Sequence, residues 1–275
     1  MNKLTKYRIF NKYRVWTLLI FVLGFFLSWF FSSHLYELIF KFNFNAPDVI
    51  GHGIEDQKFL INILLNFDDY VSSTFEYTTF LMPVFVCLLS IIYIKEKKGL
   101  LLYKYIRTQK LKKTLLNSIF THSLYNAFTL YLGFVIFLVI GLIINKNPVI
   151  TDRTFLNSYF GNGFYFNHPV AYFLIEGIIK FFIFTFVYSI FTFSISLVTN
   201  KMRYCIIIPI AFYLFTSIIF GAGMNIQELT PAFTQGFSSY VSINPLRVFI
   251  PLIIPILISI FLTIYHITRS ERVEA

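Results

Sequence analysis

The sequence predicts an all-α, polytopic membrane protein with six transmembrane helices and with both termini in the cytoplasm. The first observation is composition: 57% of the 275 residues are hydrophobic and only 13% are charged, whereas soluble domains are about a quarter charged. The second is a set of long apolar runs, and the third is the alternation of basic and acidic segments between them. The mean hydropathy of +0.70 agrees with this class.

The apolar runs define the spans of a single transmembrane domain, residues 1–275. A helix needs about 20 predominantly apolar residues to cross the hydrocarbon core of a bilayer. Six runs meet that requirement, and no gap between them is long enough to hold a soluble domain. The predicted spans are residues 15–33, 77–94, 115–144, 171–198, 204–223 and 246–267.

Orientation follows from the positions of Lys and Arg, which collect in cytoplasmic loops. The arm 1–14, the segment 95–113 and the loop between the fourth and fifth spans are basic, and the C-terminal tail carries Arg269 and Arg272. The outer loop 41–76 carries six acidic residues against two lysines. The basic segments alternate along the chain, so they share one side of the membrane. We expect that side to be the cytoplasm of a bacterium, with the protein in its plasma membrane.

Three segments outside the spans have patterns of their own. The arm 1–14 interleaves apolar residues with cations, which is typical of a helix lying on the anionic inner leaflet, so membrane lipids are expected partners. Residues 57–67 have a helical pattern and are expected to rest on the outer surface. Pro231 and Pro245 divide the last outer loop, which predicts short helices at the membrane interface.

Motifs for catalysis are absent from the sequence. It has no G-x-x-x-x-G-K-[ST] loop for nucleotide phosphates, no H-E-x-x-H and no G-x-S-x-G. His122 and Asn126 have the H-x-x-x-N spacing of certain intramembrane proteases, but the paired glutamates of those enzymes are missing. We therefore expect no enzyme and no cofactor in this chain. The formal charge of +10 lies in loops beside the membrane, so nucleic acid is not an expected partner.

Glu176 and Lys180 are charged residues within the fourth predicted span, where charge is costly. They are four residues apart, in the order that favours pairing on one helix face. One interpretation is a self-neutralising pair that lets the helix end sit near the lipid headgroups. The other is a gate or an ion relay.

A polar stripe follows the third predicted span at helical spacing: Ser118, His122, Asn126 and Thr129. Small and hydroxyl-bearing residues in this arrangement usually make contacts between helices. The alternative is that they line a transport pathway.

The segment 95–113 is the most informative stretch for function. Its eight basic residues accompany one acid, Glu96, and an apolar stripe within residues 100–106. The order is an acid that ends the second span, Gly99, a short apolar helix, and a basic turn at 107–113. This arrangement resembles that of the permease subunits of type-2 ATP-binding-cassette exporters, in which a short helix between the second and third spans docks on the ATPase. Six spans, internal termini, an amphipathic arm and a broken outer segment before the last span extend the resemblance.

That resemblance implies a partner ATP-binding-cassette ATPase, which holds the ATP and Mg, and pairing with a second copy or a homologous permease. It implies an amphipathic substrate: a peptide, a lipid-linked molecule or a drug. The alternative is a membrane-embedded docking, sensor or immunity subunit that transports nothing. The implied coupling residues are Leu101, Leu102, Tyr105 and Ile106 as docked apolar residues, with Gly99 at the turn and Glu96 and Arg107 as polar clamps.

Overall fold

The computed structural model describes residues 12–44, 52–97, 111–144, 153, 155–199, 201–237 and 245–274. In these ranges the protein is all-α, as predicted. The helices are α1 (Lys12–Ser32), α2 (Leu35–Phe40), α3 (Gly53–Leu64), α4 (Phe67–Glu96), α5 (Leu111–Ile144), α6 (Asn157–Phe160), α7 (Phe164–Asn167), α8 (Pro169–Val198), α9 (Met202–Gly223), α10 (Pro231–Gly236) and α11 (Ile250–Glu274).

Six helices in the described part of the chain are long and apolar enough to cross a membrane, which confirms the predicted fold class. They are α1, α4, α5, α8, α9 and a segment that ends in α11. The second span begins at Phe67 rather than at residue 77, because Asn66 caps the helix by accepting a hydrogen bond from the Asp69 backbone N–H at 2.7 Å. The partial positive charge at a helix N-terminus favours acidic residues. Asp68 and Asp69 accordingly lie in the first turn of α4 and not in a loop.

Helix α8 lies at the centre of the bundle and is the most buried of the six spans. It packs against α4, α5, α9 and α11. Phe181 of α8 contacts the rings of Phe25 and Phe134, with ring centroids 5.5 and 4.7 Å apart. Gly177 allows Phe134 to approach, because a Cβ atom there would overlap that ring. The interior of the bundle is therefore built largely from interlocked aromatic side chains.

Basic helix ends lie together at one end of the bundle. The Lys95 ammonium, at the end of α4, lies 4.9 Å from the ring centroid of Tyr13 in α1. Lys97 donates a hydrogen bond to the carbonyl of Ser196 in α8. We call this region the basic end. Its location in the cytoplasm stays a prediction from the charge pattern.

The outer segments differ in their burial. Helix α3 has no buried residue, which agrees with a helix on a surface. A short helix was predicted after Pro231, and α10 is that helix; it packs against α4, α8, α9 and α11, and its location at the membrane interface stays a prediction. Thr230 caps α10 and Pro231 occupies its first turn, so the helix begins at the predicted proline. Gln235 then anchors it by donating to the Lys180 carbonyl at 2.8 Å.

Candidate functional site

The Glu176 and Lys180 side chains form an ion pair in the centre of the bundle. Lys180 Nζ lies 2.6 Å from Glu176 Oε1, and both side chains are fully buried. The ammonium also lies 3.5 Å from the ring centroid of Phe75 and 4.9 Å from that of Phe237. The pair is thus enclosed by protein and its two charges neutralise each other, as one interpretation predicted, while the position of this helix end relative to the lipid headgroups stays a prediction. The role of the pair as a gate or relay stays a prediction.

Irregular geometry surrounds this pair. Residues Ile178–Ile183 of α8 form π-helical turns, in which the backbone hydrogen bonds span one residue more than in an α-helix. Turns of this kind occur mostly as short insertions and often at functional sites. The Lys180 carbonyl accepts the hydrogen bond from Gln235 of α10 here. Lys180 therefore joins three parts of the site. It belongs to the central span α8, its side chain pairs with Glu176, and its carbonyl binds Gln235 of α10.

A second ion pair lies beside the first. Arg153 Nε donates to Asp68 Oδ1 at 2.9 Å, and the Tyr165 hydroxyl donates to the same oxygen at 2.5 Å. Burial acts to lower the pKa of Arg153, but the Glu176 and Asp68 carboxylates outweigh it and raise that pKa above its ordinary value. Burial, followed by the bond to Asp68, raises the pKa of Tyr165. Arg153 therefore stays charged and Tyr165 stays neutral.

The two pairs form one balanced network of two acids, Asp68 and Glu176, and two cations, Arg153 and Lys180. Arg153 connects them, because its charge is stabilised by both carboxylates. Burying an ion costs several kcal/mol unless an opposite charge and hydrogen bonds compensate it. Such a network can persist inside a bundle only as a unit, so loss of one member leaves an uncompensated charge.

A polar pocket of about 470 Å³ lies against this network. Its walls come mainly from the first half of α4, with contributions from the loop before α8 and from α10. Phe75 separates the pocket from the buried pair, since its ring lines the pocket and also contacts Lys180. The lining residues are Ser72, Ser73, Phe75, Glu76, Thr79, Phe80, Arg153 and Gly236.

The pocket lies between the neighbours of α4. Ser28 of α1 donates to the Ser73 carbonyl at 3.4 Å, and Tyr213 of α9 donates to the Thr79 carbonyl. The distance along α4 from Glu76 to Lys95 is about 28 Å at about 1.5 Å per residue. The hydrocarbon core is about 30 Å thick. The pocket therefore lies near the membrane boundary opposite the basic end.

The polar stripe of α5 faces other helices and does not line this pocket. Asn126 Nδ2 donates to Ser189 Oγ of α8 at 3.2 Å, and both residues are buried. Ser118 is buried as well. Thr129 is half-buried and its hydroxyl donates to the Tyr125 carbonyl of the same helix. This geometry favours helix contacts, while a role in a pathway stays a prediction.

His122, the remaining member of the stripe, contacts the first span near the basic end. Its Nδ1 lies 3.3 Å from Arg14 Nη2, and both side chains are buried. The guanidinium also lies 5.4 Å from the ring centroid of Tyr125. We predicted that the arm 1–14 lies on the inner leaflet. Its last residues from Lys12 onward instead belong to α1, because Arg14 finds partners inside the bundle.

The predicted coupling residues fall mostly outside the described part of the chain. Gly99, Leu101, Leu102, Tyr105, Ile106 and Arg107 lie in the gap at 98–110. Helix α4 ends at Glu96, whose side chain is also outside the described set, and α5 begins at Leu111. Their roles therefore stay predictions.

Sequence reasoning missed the pocket and half of its charge network. Asp68 and Glu76 entered only as evidence of orientation, and Arg153 and Tyr165 received no role. One signal was available: an arginine among aromatic residues in a predicted outer loop departs from the preference of Lys and Arg for the inside. Nothing in the sequence showed which acid it would meet.

Comparison with known proteins returned no matching family model, no matching curated protein and no matching solved structure. Within the described ranges, no group of three or more His, Cys, Asp or Glu side chains could hold a metal ion. The function of this chain has therefore to be inferred from its own residues.

Proposed function

We propose that this chain is the membrane-spanning permease subunit of an ATP-driven exporter in a bacterial plasma membrane. A separate ATP-binding-cassette ATPase supplies the energy, and the cargo is an amphipathic molecule. The basic end faces the cytoplasm in this proposal, and the segment 95–113 is the docking site of the ATPase.

The observation that carries the proposal is the continuity of α4. This one helix begins beside the polar pocket and ends at Glu96, where the predicted docking segment starts. It continues through Pro83 without ending. A displacement imposed at the docking segment therefore reaches the pocket about 28 Å away through a single element, at about 1.5 Å per residue.

The contacts at the basic end support this transmission. Lys97 binds the Ser196 carbonyl of α8, and Lys95 lies over the Tyr13 ring of α1. The end of α4 is thus attached to the central span and to the first span. ATP binding can shift such a bundle only by binding one arrangement of the helices more tightly than the other. Because the end of α4 is attached to two other spans, an ATPase bound at that end can favour one arrangement of the helices over the other.

Pairing of two permeases fits the exposed surface. Helices α1 and α9 are the least buried of the six spans in the described part of the chain. They also flank α4 at the pocket, where Ser28 and Tyr213 bond to its backbone. A second copy or a homologous permease packed on this face would enclose the pocket between two subunits and so create a pathway.

The first test is purification of the full chain from native membranes in mild detergent, with identification of co-purifying proteins and measurement of ATP turnover. Tyr105→Asp together with Ile106→Asp places charges on the proposed docking helix. We expect the double variant to lose the ATPase and its turnover. A matched control is Phe59→Asp, which changes an exposed aromatic residue of α3 that is 64% exposed.

Co-purification that survives the double variant would contradict the docking assignment. An ATPase that co-purifies and turns over ATP without any movement of cargo into inverted vesicles would instead favour the docking, sensor or immunity subunit.

A further inference from the structure

We propose that the polar pocket binds an organic cation that carries apolar substituents, with Glu76 as its counter-charge. Such a cation would be the cargo of the proposed exporter, and only its transport rests on that proposed function. Binding itself requires nothing but the pocket.

The charge of the pocket wall supports a cationic ligand. Arg153 lines the pocket, but Asp68 accepts its Nε–H at 2.9 Å and its side chain is only 15% exposed. Glu76 is exposed, and no described residue pairs with it. The charge of Arg153 is therefore already neutralised by Asp68, whereas the charge of the Glu76 carboxylate is not neutralised by any described residue.

The charged residues around the pocket also sum to a negative formal charge. Three acids belong to the pocket wall or to the adjoining ion pairs, against the two cations Arg153 and Lys180, which leaves a formal charge of −1 among these five residues. An anion at this wall would share the Arg153 guanidinium with Asp68 and would also meet the repulsion of the Glu76 carboxylate, whereas a cation meets Glu76 as its counter-charge. The three acids are Asp68, Glu76 and Glu176.

The remaining walls suit apolar substituents on the cation. Phe75 and Phe80 line the pocket with aromatic rings, and Phe80 is 65% exposed. Aromatic faces attract cations; Phe75 is buried and its ring already lies 3.5 Å from the Lys180 ammonium, so Phe80 is the ring that is open to a ligand. The volume of about 470 Å³ lies within the roughly 300–1,000 Å³ of small-molecule sites.

The position of the pocket suits an amphiphile. Glu76 lies near the boundary of the hydrocarbon core, about 28 Å from Lys95 at about 1.5 Å per residue. A cation at this depth can meet the carboxylate while its apolar part stays in the bilayer. Apolar substituents can pack on the exposed Phe80 ring and stay in the bilayer, so the site favours lipophilic cations over strongly hydrated ones.

The test is equilibrium binding of radiolabelled tetraphenylphosphonium to the full chain in lipid nanodiscs, with empty nanodiscs as background. Tetraphenylborate, an anion of the same shape, is measured in parallel. We expect saturable binding of the cation, weakened about tenfold by Glu76→Gln because one ionic contact near the protein surface is lost. The matched control is Glu55→Gln, an acid of α3 whose side chain is 85% exposed.

Three results would each overturn the inference: no saturable binding of the cation, equal affinity in Glu76→Gln, or equal saturable binding of the borate. None of these bears on whether an ATPase co-purifies, so failure of the pocket assignment and failure of the exporter proposal are distinguishable.

Discussion

Replacement of Lys180 by Met removes the cation from the centre of the buried network while keeping an unbranched chain of similar length. The Glu176 carboxylate then loses the ammonium that lies 2.6 Å away, in a position where neither side chain contacts solvent. Arg153 remains as a second source of positive potential. The variant therefore isolates the cost of a buried carboxylate with one of its two cations gone.

The expected cost follows from burial. Breaking a fully buried ion pair by removing one partner costs about 3–5 kcal/mol, because an uncompensated charge stays behind. Arg153 offsets part of this, so we expect Lys180→Met to lower the free energy of unfolding by about 3 kcal/mol. Glu176→Leu leaves Lys180 facing Arg153 and should cost about 4 kcal/mol. The double variant leaves neither charge and should cost clearly less than the sum of the two.

The assay is reversible unfolding of the purified chain in mixed micelles, followed by far-ultraviolet circular dichroism for all four members of the cycle. Lys201→Met is the matched control, since Lys201 is exposed at the basic end and its loss should change stability by less than about 0.5 kcal/mol. Single costs below about 1 kcal/mol, or additive effects in the double variant, would refute the reasoning that the pair is a buried unit.

Three further predictions test the fold. Gly141→Ala should destabilise the bundle by about 1–3 kcal/mol in the same assay, because the new methyl group would overlap the Tyr70 ring, while Gly236→Ala meets no atom within 4 Å and should be near neutral. Asn126→Leu, which removes the hydrogen bond to Ser189, should cost only about 0.6 kcal/mol, the typical value between membrane helices; a loss above about 3 kcal/mol would contradict its role as a simple contact. Green fluorescent protein fused to the C-terminus should fluoresce and alkaline phosphatase fused there should be inactive; the opposite pair of results would place the basic end outside.

The six spans were predictable because each depends on a local property, the length of an apolar run. The residues at which the spans begin and end were less predictable. Hydropathy placed the start of the second span at residue 77, but Asn66 and the acids after it are helix-start signals, and they extend α4 beyond the apolar run to Phe67. Helix α10 shows the same limit, since nothing in its six residues indicates burial.

The site was only partly predictable for a related reason. The four-residue spacing of Glu176 and Lys180 predicted their contact, because both lie on one helix. Arg153 and Asp68 are 85 positions apart, and their contact depends on how α4 and α8 pack. No local pattern encodes that packing. The pocket, which needs α4, α10 and the loop at Arg153, could be found only from the assembled bundle.

The central claim is that an ATPase acts on this bundle through the segment between α4 and α5. Its most direct test is a photo-crosslinking amino acid placed at Tyr105 in cells, with the same amino acid at Phe59 of α3 as the control. We predict a covalent adduct from position 105, and none from position 59, to a protein that carries a nucleotide-binding loop. An adduct at 105 only to proteins that lack such a loop, or no adduct at all from an intact complex, would contradict the account.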